Sequence, residues 1–158
     1  MKRSDNRGRR RNQRGNAVIE ASLLMPWVVF LFLGAFDFGF YAHALISTEN
    51  AARAAALYTS TNFNIAQAEW LSPAPPSQPG ACQYVLGELR KLPNVGDGVT
   101  NCNALPVRMA VAQPIAHPDG SFSTRVSVTY QTVPLFALPW MPGRLTMTRS
   151  VEMRIAGD

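Results

Sequence analysis

Residues 17–46 read AVIEASLLMPWVVFLFLGAFDFGFYAHALI, and the interpretation of this stretch decides the fold. Glu20 and Asp37 are its only acidic residues, and no lysine or arginine follows until Arg53. A bilayer core about 30 Å thick needs roughly 20 helical residues, which this stretch exceeds. It therefore reads as a single transmembrane helix rather than a buried core helix. Upstream, residues 1–15 carry Lys2, Arg3, Arg7, Arg9, Arg10, Arg11 and Arg14 against Asp5 alone, a net +6. Cations gathered on one flank of a span keep that flank in the cytoplasm. Everything beyond about residue 46 is then expected on the exported side.

Of the whole chain's net charge of +5 over 158 residues, the leader holds all the excess. Residues 16–158 hold eight basic and nine acidic side chains, net −1. A near-neutral body lacks the cationic face that phosphate backbones require, so nucleic acid is not an expected partner. A cleaved signal peptide using Ala42-His43-Ala44 is the competing reading. Against it stand the length of the apolar run and the unfavourable approach of Asp37, Phe38, Phe40 and Tyr41. Arg9-Arg10-Arg11 is followed by polar Asn12-Gln13, which does not suit twin-arginine export.

Each acid in the span needs a reason, because a carboxylate at a helix centre costs about +2.5 to +3.5 kcal/mol on insertion scales. Asp37, among Phe36, Phe38, Phe40 and Tyr41, is read as a residue at the outer interface and a possible second membrane acid. Glu20 lies six residues beyond Arg14, at the inner end of the span.

Around Glu20 the sequence resembles a known pattern. Gly15-Asn16-Ala17-Val18-Ile19-Glu20 follows a basic leader and precedes an apolar helix, which resembles a type IV prepilin cleavage site. GNAVIEASLLMP (15–26), GAFDFG (34–39) and NAARAAA (50–56) together resemble the TadE-like family, pseudopilins or minor components of the Flp (tight adherence) pilus machinery of bacteria. Ala21 stands where cleaved members often carry tyrosine. The resemblance implies cutting after Gly15 by a prepilin peptidase and a glutamate, Glu20, fifth in the mature chain. It also implies that Glu20 aligns an incoming subunit by pairing with the new amine of Asn16. The implied partners are the inner membrane, the prepilin peptidase, other pilin-like subunits and the Tad secretion machinery. Independently of the name, such a cut removes all seven leader cations and leaves an amine whose only nearby acid is Glu20.

Beyond the span, Ala51, Ala52, Ala54, Ala55 and Ala56 continue the helical pattern. A helix from about Ala17 to Thr59 would measure about 65 Å, bent at Pro26. Residues 71–81 (LSPAPPSQPGA) read as a loop or linker. Cys82, Val85, Leu86, Leu89 and Leu92 recur at helical spacing, giving a short amphipathic helix ended by Pro93-Asn94 and Gly96-Asp97-Gly98. Cys82 and Cys102, the only cysteines, suggest a disulfide in an exported segment. His43 and His117 lack ligand spacing, so neither a metal nor a cofactor is expected.

The last third alternates with period two. Val107, Met109 and Val111 share one face; after the turn His117-Pro118-Asp119-Gly120 come Phe122, Thr124, Val126, Val128 and Tyr130; then Leu145, Met147, Val151, Met153 and Ile155. Three strands joined consecutively predict an antiparallel meander with one face on the helices. Between the last two, Leu135, Phe136, Leu138, Trp140 and Met141 form an apolar patch, open to reading as core, membrane contact or subunit interface. The expected fold is α+β: a long N-terminal transmembrane helix, then a small domain with a short helix and the meander. The expected divisions are a basic cytoplasmic leader (1–15), the transmembrane and extended helix (16–60) and an exported, periplasmic α+β domain (61–158). No catalytic spacing is evident, so an assembly subunit is the first functional reading and a membrane-tethered or secreted envelope binding module the second.

Overall fold

A computed structural model describes residues 7–71, 80–133 and 143–156, with side chains from residue 17 onward. The apolar patch at 135–141 and most of the proline-rich stretch lie outside the described residues. Contacts divide the chain into two units, Met1–Gly39 and Phe40–Asp158.

Helix α1 spans Arg7–Thr59. From Ala17 to Phe32 it is apolar on nearly every side, Glu20 apart, and every side chain there is exposed. Val18, Leu23, Trp27 and Leu31 each show about 70% of their surface. A helix with no polar face has no protein core to turn toward, and here only a nonpolar solvent would satisfy it. The helix continues through Pro26, whose ring nitrogen cannot donate to the Ser22 carbonyl. Ser22 Oγ donates to the Ile19 carbonyl at 2.8 Å.

The second unit is α+β, as the pattern predicts. Here the end of α1 turns Ala44, Thr48, Ala51, Ala52, Ala55, Ala56 and Thr59 inward, all with no exposed surface. These positions recur at helical spacing, and their small side chains let the sheet approach closely. Two buried threonines are satisfied within the helix, Thr48 Oγ1 donating to Ala44 O at 2.7 Å and Thr59 Oγ1 to Ala56 O at 3.1 Å.

Two short helices follow, α2 (Phe63–Leu71) and α3 (Ala81–Leu89). Helix α2 was not expected. Asn62 starts it, its Oδ1 accepting the Asn64 amide at 2.7 Å. The expected helix over 82–92 ends earlier, at Leu89, and Leu92 is buried from a turn closed by its amide on Leu89 O at 2.9 Å. Cys82 and Cys102 form the disulfide, with Cα atoms 5.8 Å apart.

The sheet has five strands rather than three: β1 (Asn103–Ala104), β2 (Val107–Val111), β3 (Ile115–Ala116), β4 (Phe122–Gln131) and β5 (Thr146–Arg154). All pairings are antiparallel, and β4 is central. One side of β4 pairs with β5; the other pairs with β2 and, beyond Pro114, with β3. The expected meander is present as β2, β4 and β5, and the short β3 that follows Pro114, a residue with no amide to donate, is an addition to it. The inward row is Val107, Met109 and Val111 on β2, and Thr124, Val126, Val128 and Tyr130 on β4.

Candidate functional site

In the second unit, His117 is the one histidine of the sheet region. His117 closes the β3–β4 turn: its amide donates to Ser121 O at 2.8 Å and its carbonyl accepts the Gly120 amide at 3.0 Å. Gly120 has φ +80, a left-handed backbone that suits glycine and completes a three-residue hairpin loop. His117 Nε2 lies 3.0 Å from Ser123 Oγ, and Ser123 Oγ donates to Glu152 Oε1 at 2.7 Å. Arg125 Nη2 donates to Glu152 Oε2 at 2.7 Å. The order matters. A hydrolytic triad needs histidine between the hydroxyl and the acid; here serine is the middle member, and it is buried with 1% exposure. The cluster ties the turn to β5.

The same electrostatics hold two carboxyls below their ordinary range. For Glu152 the hydrogen bonds from Arg125 and Ser123 are the main causes; for Asp119 they are the hydroxyl and amide of Ser121. Among the described residues no group of three histidine, cysteine or acidic side chains is placed to hold a metal. An open groove of about 370 Å³ beside α3 is lined by Leu86, Arg90, Asp97 and Val99, and Arg90 is ion-paired with Asp97.

The other candidate is the start of α1. Gly15 and Asn16 lie on the helical backbone, although their side-chain positions are outside the described set. Gly15 is helical in the uncut chain rather than extended; a protease needs the local turn opened, and glycine is the residue that resists this least, short of proline. Glu20 is exposed, and no described side chain pairs with it. On a helix, residues 16 and 20 share a face one turn apart. Residues 17–59 are long and apolar enough to cross a membrane.

A family model described as TadE-like protein matches residues 15–57. Over residues 15–57 the chain is similar to TadE-like proteins. No curated protein and no solved structure matches the chain.

The TadE-like segment begins at Gly15 and ends two residues short of the end of α1. It contains Glu20 and Asp37, seventeen positions apart, and Asp37 is partly exposed. It also contains the alternative cleavage position after Ala44. Ala44 has no exposed surface and belongs to the core of the second unit.

Glu69, which sequence reading passed over, is the acid the structure singles out. It is 4% exposed, and its Oε2 has no partner among the described residues. An acid followed by tryptophan and leucine in a short helix carries no signal of burial.

Proposed function

We propose that the chain is a minor pilin-like component of a Tad (Flp) pilus, made as a precursor and cut after Gly15 by a prepilin peptidase. The observation that carries this reading is the TadE-like match, whose first residue is Gly15, the proposed scissile position. The proposed topology has the leader in the cytoplasm, residues 17–46 in the inner membrane and the sheet domain in the periplasm. Seven cations in the leader support that orientation.

Cutting after Gly15 does two things at once. It removes a net +6, which otherwise anchors the helix at the anionic cytoplasmic face. It also leaves an Asn16 ammonium at a helix N-terminus, whose dipole already disfavours positive charge. Glu20, one turn on, neutralises that amine in its own chain or in a neighbouring subunit. Asp37 would then be the second acid, held at the outer interface. The proposed partners are other pilin-like subunits packing along residues 16–60. A secreted soluble module released after Ala44 fits less well, because that cut removes Tyr41 and Ala44 from contacts with the domain core.

The test is the intact mass and N-terminal residue of the protein recovered from its native membrane. A chain starting at Asn16 is expected, and one starting at Met1 overturns the processing. Separately, Glu20→Ala is expected to keep membrane insertion and lose incorporation into the pilus; normal incorporation removes the pairing role.

A further inference from the structure

The core-facing row of β5 reads Met147, Arg149, Val151, Met153, opposite Tyr130, Val128, Val126 and Thr124 of β4. Three of the four are apolar and at least partly buried. Arg149 is exposed, although its β4 neighbour Val128 has no exposed surface. Arg125 and Arg154, on the other face, pair with Glu152 and Asp119. Arg149 has no hydrogen bond or ion pair among the described residues. Neither packing nor pairing explains a guanidinium where the alternation calls for an apolar side chain.

The position of the strand does. β5 pairs along its nine residues with β4 and with no other described strand. Along residues 146–154 its outer edge, unpaired among the described residues, offers backbone groups to another strand; just beyond it the Ala156 amide is taken by Ser60 O. Two copies of β5 joined antiparallel, with their faces continuous, must set residues of the same face opposite each other. Centring on Ser150 places Thr148 against Glu152 and Met147 against Met153, both acceptable neighbours. It also places Arg149 against Val151. Centring on Val151 places Arg149 against Met153, and centring on Arg149 brings two guanidiniums together. Every such register buries this one charge in an apolar row or against its own copy.

We propose that Arg149 is an edge guard: it prevents β5 from extending its sheet onto β5 of a second copy of this chain. The remaining apolar row and the Thr–Glu cross-pairs make a second copy the occupant that the strand would otherwise accept.

The test uses the full chain in detergent micelles, with association followed by light scattering during size-exclusion chromatography. Arg149→Val and Arg149→Thr are expected to associate at a protein concentration at least about tenfold below that needed by the wild type. Arg149→Lys should match the wild type. Ser150→Cys should cross-link between copies in the Arg149→Val background and not in the wild-type background. Neutral variants that keep the wild-type circular dichroism and the wild-type association state overturn the proposal. Association with no cross-link from Ser150→Cys, Val151→Cys or Arg149→Cys also overturns it, because the contact then lies elsewhere. Loss of fold in both neutral variants overturns it too, making Arg149 a folding residue rather than a guard.

Discussion

Glu69 on α2 accepts a 3.0 Å hydrogen bond from the amide of Ala81, the first residue of α3. The N-cap position itself, Gly80, has no side chain to offer, so an acid from a different helix serves the orphan donor. The carboxylate also sits where the α3 dipole favours negative charge. Glu69→Ala is therefore expected to destabilise the second unit by about 1–3 kcal/mol. Glu69→Gln, which keeps an acceptor oxygen, should lose less. Urea unfolding followed by circular dichroism measures both, and equal stability of the alanine variant and the wild type would remove the capping role.

The disulfide closes a loop of separation 20 between α3 and the start of the sheet. In the chain-entropy account such a closure contributes roughly 3 kcal/mol. The double variant Cys82→Ser, Cys102→Ser should show that loss by denaturant titration, and reduction of the wild type should reproduce it. A reduced protein as stable as the oxidised one would contradict the account.

Acid should loosen the β3–β4 turn. The carboxyls of Glu152 and Asp119 are held below their ordinary values, so their stabilising effect is full above the unfolded carboxylate range. It is lost as pH falls through their lowered native values. Thermal midpoints measured from about pH 5 down to pH 2 should therefore decline. Glu152→Gln should flatten that decline while costing some stability at neutral pH.

At the other end of the sheet, the buried Tyr130 hydroxyl donates to Asn94 Oδ1 at 2.6 Å, and Asn94 Nδ2 donates to Gln131 O at 2.5 Å. This pins the loop after α3 to β4. Burial pushes the phenol up to about 12 from 10.0, so the folded state loses stability as pH rises through that interval. Tyr130→Phe should abolish this alkaline dependence and cost about 1–3 kcal/mol at neutral pH, because Asn94 Oδ1 is left without its donor. Alkaline melts of the two proteins make the comparison.

The readable parts of the fold are those with long, unbroken periodicity. Ala44 to Thr59 repeats at helical spacing and Thr124 to Tyr130 alternates, so each element carries its burial pattern in its own sequence. The missed parts depend on contacts between elements. Phe63–Leu71 is nine residues long, begun by Asn62 and fixed by tertiary contacts, so its own periodicity is too short to declare it. β1 and β3 are two-residue strands that exist only because β2 and β4 present edges. The start of the TadE-like segment was legible as a motif, whereas Glu69 was not, since burial of a single acid has no local signature. Arg149 was visible only as a gap in the apolar alternation of β5.

The inward face of α1 has one more consequence. Displace the row Ala44, Thr48, Ala51, Ala52, Ala55, Ala56, Thr59 back by four residues and it becomes Phe40, Ala44, Ser47, Thr48, Ala51, Ala52, Ala55. Apart from Phe40, the two rows are almost the same shape, so methyl groups alone define the helix's axial position poorly. That position is marked at the last turn, where Thr124 Oγ1 donates to Thr59 Oγ1 at 3.3 Å, the Ala156 amide donates to Ser60 O at 2.8 Å and the Tyr58 and Tyr84 rings lie 5.1 Å apart. Pulled along its axis, α1 would be held less by its alanine row than by the contacts of its last turn.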